Sequence, residues 1–305
     1  MKITKEKILR HLKDRRDLYC YFLNKLSPLL SDSLFLRVRY RIRMRKKLNL
    51  KNPKTFNDKL NWMKAYYHNP DFPTLVDKYS VKDHVSKIIG EEHVIPTLGV
   101  WDRSEDIDFD SLPDKFVLKC THDSGGLIVC KDKSTLDFAT ARQKLSRILK
   151  LDYSTISREW GYKHVKRRII AEQYMEDEAT HAMDDYKFFC FDGEPKILFV
   201  ATDRAHDVKF DFFDMDFKHL DIRNGHDHAE KTPAKPKTFE KMKELAAKLS
   251  KGYPHVRVDL YEVNGQVYFG EYTLYHFGAM VPFEPEEWDY TLGSWLKLPE
   301  KDLRK

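Results

Sequence analysis

The sequence predicts an α+β chain. Three stretches, 116–130, 186–202 and 256–271, each set two β-rich runs on either side of a short turn, and such hairpins are antiparallel. Amphipathic stretches of helical period precede and separate them, at 55–67, 80–90, 136–151 and 238–249. The third observation is charge. The first fifty residues hold fifteen Lys and Arg against four Asp and Glu, a net +11 in a chain whose total is +6. The basicity belongs to an N-terminal arm, and the remainder is net acidic.

At 305 residues, with 41% hydrophobic and 33% charged residues, the chain has a globular composition and room for about two domains. It contains no apolar run of about 18 residues and no apolar signal core at its start, so the expected location is cytoplasmic, at most touching the inner membrane surface. Cys20, Cys120, Cys130 and Cys190 show no CxxC spacing, which predicts reduced thiols rather than a disulfide frame or a zinc site.

In chain order, the arm (1–50) reads as basic and helical, with Leu9, Leu12, Tyr19, Phe22 and Leu23 as apolar positions. Its densest part, Arg37–Lys47, alternates arginine with apolar residues. Alternation argues for a strand and the lysine-rich end for a surface helix, and the sequence leaves both open. Such an arm could contact anionic lipid headgroups, contact a phosphorylated lipid-linked substrate, or be a solvated face. No nucleic-acid-binding module accompanies the charge, so nucleic acid is not an expected partner.

A helix over Thr55–Tyr67 presents Phe56, Leu60, Trp62 and Met63 to a core. Ser80 and Asp83 form a capping box for the next helix, with Val81, Val85, Ile88 and Ile89 as its apolar face and Gly90 as its stop. Val94-Ile95-Pro96 begins a short strand. Leu136–Leu151 reads as a helix, 152–166 as irregular, and Ile169–Met175 as a strand. Asp192-Gly193 joins the strands Tyr186–Phe191 and Lys196–Thr202. Residues 203–237 predict a long loop, in which Arg204, His206 and the His226-x-His228 pair read as loop polar residues, since no further Cys, His or Glu completes a zinc pattern. Thr238 caps a helix to Leu249 that stops at Gly252. Asn264-Gly265 then turns the last hairpin, from Val256–Val263 back to Glu271.

The stretch with the most chemistry is FVLKCTHDSGGLIVCKDK, 116–133. A buried strand ends at Lys119, a glycine-bearing turn spans Thr121–Gly126, and the returning strand closes with Lys131 and Lys133. Glycines let several N–H groups approach one anion, and lysines supply point charges suited to phosphate. An ordinary flexible hairpin is the other reading. Neither GxxxxGK[ST] nor GxGxxG occurs.

Six phrases in order, NPKTFNDKLNW (52–62), LVDKYSVKDHV (75–85), IPTLGVWD (95–102), FVLKCTHDSGG (116–126), DYKFFCFDG (185–193) and RVDLYEVNGQVYFGEYT (257–273), resemble the TupA-like branch of the ATP-grasp superfamily. The resemblance covers roughly 50–300. It implies two α+β lobes whose antiparallel sheets clasp ATP, divided as arm (1–50), preceding region (51–115), small lobe (116–180) and large lobe (181–305). It also implies that Lys119, His122, Ser124, Gly125 and Gly126 hold phosphates, and that Glu172 with the backbone of Gln173, Tyr174 and Met175 edges the adenine. Lys187 would be a second phosphate lysine, catalytic together with Arg257. Mg2+ would sit on Asp259, Glu271 and Thr273. The implied reaction is ATP-dependent carboxylate–amine ligation through an acyl phosphate. Its setting would be biosynthesis of a surface polysaccharide such as a capsule, joining an amino acid to a uronic acid or amino sugar, free or lipid-linked.

Two features qualify the resemblance. Thr273 stands where the superfamily carries Asn, so the third metal contact would be a hydroxyl and the number of magnesium ions stays open. A strict two-residue turn at Asn264-Gly265 would put Asp259 and Glu271 on opposite faces, so a shared metal requires a longer loop or a one-residue bulge, which is expected here. Rival readings are a glycosyltransferase, for which the only DxD matches are Asp106-Ile107-Asp108, Asp108-Phe109-Asp110 and Asp214-Met215-Asp216, an ATP-dependent sugar kinase, and a non-catalytic assembly factor.

Overall fold

The computed structural model describes residues 15–301 apart from 124–125, 179–182 and 204–206. Leu9, Leu12, Ser124, Gly125, Arg204 and His206 lie outside the described residues. Among those described, no helix is long and apolar enough to cross a membrane.

Two antiparallel sheets organise the chain. The smaller has the order β1-β4-β2-β3, from β1 (Thr97–Trp101), β2 (Phe116–Cys120), β3 (Leu127–Cys130) and β4 (Ile169–Gln173). Its edge strand β1 comes from upstream of residue 116, where the sequence reading began the small lobe. The larger runs β10-β9-β5-β6-β7-β8, from β5 (Asp185–Phe191), β6 (Glu194–Thr202), β7 (Lys209–Asp214), β8 (His219–Leu220), β9 (His255–Val263) and β10 (Gln266–Thr273). Both predicted two-residue turns are present: Asp192-Gly193 and Asn264-Gly265 have positive φ at both positions, the geometry that matches strand twist.

Each sheet has its own core. The small one buries Phe116, Leu118 and Ile169 against Ala141 and Leu145 of the amphipathic helix Phe138–Leu149. The large one buries Phe188, Leu198, Phe212 and Val258 with residues of the helices Phe56–Tyr66 (α3), Phe72–Val76 (α4), Ser80–Ile89 (α5) and Phe239–Ser250. The arm contributes α1 (Arg15–Leu26) and α2 (Asp32–Met44). The arginine-rich stretch is therefore helical. Leu36, Tyr40 and Met44, spaced by four and all buried, form a stripe that packs on Ala65 and Met280 and overrides the local alternation.

Four local expectations are corrected. Ser80 is the first residue of α5, not its cap. The cap position is Tyr79, without a side-chain cap; just before it, Asp77 accepts from the backbone N–H of Tyr79 at 3.0 Å and the Ser80 hydroxyl at 2.7 Å, while Asp83 pairs with Lys87. Thr238 donates both its backbone N–H and its hydroxyl to Glu262 instead of capping its helix. The 203–237 segment is not loop throughout: β7 and β8 lie in it, because Phe210, Phe212 and Phe213 are buried although aspartates interrupt the pattern. Within 152–166, Tyr153–Ser157 is a short helix.

The bulge in the last hairpin decides the site. Pairing runs Phe269 to Leu260 and then Glu271 to Asp259, leaving Gly270 as the extra residue. A Cβ at Gly270 would lie 2.8 Å from the Tyr261 ring and 3.1 Å from the Asp259 carbonyl oxygen. Gly270→Ala is expected to cost about 1–3 kcal/mol as an overpacked position, seen as a lower thermal midpoint. An unchanged midpoint would mean that the ring swings away freely.

Candidate active site

Arg257 and Asp259 alternate onto one face of β9. Through the bulge, Thr273 and Glu271 stand opposite them on β10, and Lys187 on β5 stands opposite Asp259 from the other side. Asp259, fully buried, accepts from Arg257 Nε and Nη2, each at 2.7 Å, and from Lys187, which also pairs with Asp185 at 2.6 Å. Burial pushes the Asp259 carboxyl up, but Arg257 and Lys187 outweigh it and hold the pKa below the ordinary carboxylate value. Burial likewise opposes the charge on Arg257, and Asp259 outweighs it, raising the guanidinium pKa.

His276 completes this group. Arginine can only donate, so His276 Nδ1 accepts from Arg257 at 2.7 Å, which leaves Nε2–H to donate to Asn224 Oδ1 at 2.7 Å. Burial first, and Arg257 next, hold its pKa well below the usual histidine value, so the ring is neutral.

A second group lies on the smaller sheet. Glu172 on β4 pairs with Val117 of β2, so Lys119, two residues on, shares its face. Glu172 is held by Lys119 at 2.5 Å and by Lys82 of α5 at 2.6 Å. Burial raises its carboxyl pKa, and the two ammonium groups outweigh burial and lower it. Lys78 donates to the backbone carbonyl of Asp123 in the glycine loop. Side chains pack closely on Gly126: a Cβ there would lie 2.0 Å from Asp123 Oδ2 and 2.8 Å from Ile148 Cδ1.

The two groups face each other across a cavity of about 210 Å³, lined by Lys78, Lys82, Lys119 and Glu172 on one side and Tyr261, Gly270 and Glu271 on the other. A larger cavity, about 690 Å³, lies beyond Glu271 and is lined by Arg257, Thr273, Lys64 and the arm residues Arg16, Arg39 and Arg43. Lys64 is buried. Desolvation pulls its ammonium down to about 8, although Glu159 at 3.5 Å opposes this.

Of the residues named from sequence, Lys119, Gly126, Glu172 and Glu271 line the smaller cavity, and Arg257, Glu271 and Thr273 the larger. Lys187 and Asp259 lie buried behind them. His122 is also buried, and desolvation lowers its pKa. Gln173 donates its backbone N–H to the Pro96 carbonyl, and the Tyr174 ring faces Lys115 and Lys131, 6.0 and 5.5 Å from its centre. Met175, half-buried, follows on the same segment. Lys133 is spent on the carbonyls of Leu112 and Phe109 and is structural. Lys78 and Lys82 were missed. Their spacing of four at the start of a helix inside a matching phrase was the available signal. Asn224 and His276 carried no signal, because tertiary packing alone brings them to Arg257.

Magnesium suits Glu271 and the phosphates that three lysines could hold. The third donor fits less well: the Thr273 hydroxyl accepts from Arg257 at 2.8 Å, and both Asp259 oxygens are engaged. Glu271, its side chain 46% exposed, is the open carboxylate of the set.

Residues 58–297 match the model of the family described as TupA-like ATPgrasp. Among solved structures, the chain is similar to D-alanine–D-alanine ligase from Bacillus anthracis complexed with ATP (14% identity, 73% of this chain and 63% of that one, TM-score 0.41). It is also similar to D-cycloserine synthetase DcsG (18% identity, 73% and 71%, TM-score 0.39) and to the ATP-grasp ligase PsnB complexed with minimal precursor, Mg and ADP (10% identity, 71% and 57%, TM-score 0.36). It spans roughly three-fifths of the length of the D-alanine–D-alanine ligases it matches. A comparison with curated protein sequences gives no match. With the family match extending over most of its length, the chain belongs to the TupA-like ATP-grasp family.

Proposed function

We propose that the chain is an ATP-dependent carboxylate–amine ligase. The observation that carries this reading is the position of Glu271, the residue that lines both cavities. Phosphates fit the smaller one, beside Lys78, Lys82 and Lys119, with the base toward the 172–175 segment. An acidic substrate fits the larger one, whose wall is rich in arginine. The γ-phosphoryl group of ATP would pass to the substrate carboxylate, releasing ADP and leaving an acyl phosphate, from which an amine would then displace phosphate to form an amide. Arg257, held rigid by Asp259 and His276, faces the charge that develops between the cavities, and Lys187 behind it adds a second fixed cation. Magnesium would be held by Glu271 with phosphate oxygens and water, and would supply charge neutralisation on the phosphates. Asp259 stands opposite Glu271 as the second carboxylate of that face.

The finer reading is a carboxylate borne by a uronic acid or another acidic sugar unit of a surface polysaccharide, free or lipid-linked, joined to an amino acid. Its support is the arm: Arg39 and Arg43 line the larger cavity, while Tyr19, Phe22, Leu26 and Leu29 are exposed nearby in sequence, a mixture suited to an anionic lipid surface on the cytoplasmic side. The glycosyltransferase reading loses support, since Asp106 pairs with Arg103 at 2.6 Å and Asp108 and Asp214 accept from local turn N–H groups.

The test is ADP release with ATP and magnesium across uronic acids and amino acids, supplied singly and in pairs. ADP formed only when carboxylate and amine are both present supports the ligase. Release with a sugar alone favours a kinase, and binding of a nucleotide-sugar but not ATP would sink the proposal.

A further inference from the structure

Away from both cavities, at the β7–β8 edge of the larger sheet, three side chains converge that the chemistry above does not use. Asp211 on β7 is buried to 1% exposure, yet the basic side chains found within ion-pair distance of it, among the described residues, are two histidines and no lysine or arginine. His219 Nε2 lies 3.0 Å from Asp211 Oδ1, and His228 Nδ1 lies 3.3 Å from the same oxygen. The three ligand atoms all fall within 4.8 Å of one another.

We propose that Asp211, His219 and His228 form a binding site for a divalent transition ion of the zinc class. Three observations carry it. First, ligand atoms on a tetrahedral zinc, with bonds of about 2.0–2.1 Å, stand about 3.3 Å apart, close to the two spacings found. Second, the carboxylate is held from outside as metal ligands are held, and the imidazole of His228 is uncommitted. The other Asp211 oxygen accepts from the backbone N–H of Ala229 at 3.1 Å, and the two buried ring nitrogens of His228 make no hydrogen bond among the described residues, with Nε2 3.4 Å from Asp221 and Nδ1 facing Asp211. Third, His219 and His228 keep side-chain exposures of 34% and 18%, which leaves a solvent-facing position for water as a further ligand. Two imidazoles and one carboxylate select a transition ion over magnesium, which prefers oxygen.

The ion would tie together β7, β8 and the segment after β8. That segment carries Asn224, which fixes His276 and through it Arg257, and Gly225, which lines the larger cavity. The site is therefore a positioning device for the cavity wall. Neighbouring His226 is outside it, its ring packed 4.3 Å from the centre of Phe210.

The experiment is zinc titration by calorimetry, with cobalt absorption as a second reading, on the full chain without a histidine tag. One zinc per chain is expected. His219→Ala and His228→Gln should each weaken binding by at least about 100-fold and Asp221→Asn by about ten-fold, in line with the losses found for second partners of metal ligands, while His226→Ala leaves it unchanged. Cobalt should give the strong visible bands of a low-coordinate site, lost in His228→Gln. Absence of stoichiometric binding would overturn the proposal. Binding that survives both His219→Ala and His228→Gln, or that falls equally in His226→Ala, would also overturn it and leave only a hydrogen-bonded Asp–His cluster.

Discussion

Glu271→Gln is expected to leave the fold intact and to lower ATP turnover by about 10²–10³-fold, the scale of losing one fixed charge contact to a transition state. The first half follows from exposure. The Glu271 side chain is 46% exposed and its nearest cation, Arg257, is 4.0 Å away, so removing the charge strands nothing buried. Surface substitutions of this kind stay within about 0.5 kcal/mol. The second half follows from position, since Glu271 lines both cavities and its carboxylate is half-exposed. ADP release and the thermal midpoint, measured on the same preparation, separate the two halves. A variant that keeps more than about a tenth of the activity would remove Glu271 from the phosphoryl-transfer step.

Asp259→Asn is the opposite case, and its largest effect is on stability. The carboxylate is fully buried between Arg257 and Lys187, themselves 7% and 9% exposed. An amide of the same shape leaves two buried cations with Asp185, beside Lys187, and the half-exposed Glu271, 4.0 Å from Arg257, as the remaining carboxylates. Breaking a buried pair in this way costs about 3–5 kcal/mol, read as a lower urea midpoint. The pH dependence has a definite sign. The folded pKa values of Asp259 and Glu172 lie below their unfolded values, so their contribution is complete above an unfolded carboxylate pKa of about 4 and is lost as pH falls through the folded values. Wild type should lose stability on acidification below about pH 4, and Asp259→Asn should lose less over that range. Identical acid limbs would show that Asp259 is not ionised in the native state.

The elements with regular period were legible in the sequence. The amphipathic helix Phe138–Leu149 and the turns Asp192-Gly193 and Asn264-Gly265 follow from local patterns, whereas the bulge was expected only from the shared metal that the resemblance implied for Asp259 and Glu271. What escaped was set by partners distant in sequence. Alternating arginines hid α2 because its decisive stripe is buried against Ala65 and Met280. β7 was hidden because Asp211 is buried with two histidines rather than exposed. Within the site, Glu271 and Lys119 were visible as charges beside apolar strands. That Asp259 would be saturated by Arg257 and Lys187 was not, since strand alternation gives a face and not a partner.

The family match begins at residue 58, whereas Arg39 and Arg43 belong to α2 and still line the larger cavity. That cavity is therefore built jointly, by arginines of the arm and by Lys64, Arg257 and Thr273 of the matched region. Under the proposed function, substitutions at Arg16, Arg39 or Arg43 would change which anion is accepted while leaving Lys119, Arg257 and Glu271 untouched.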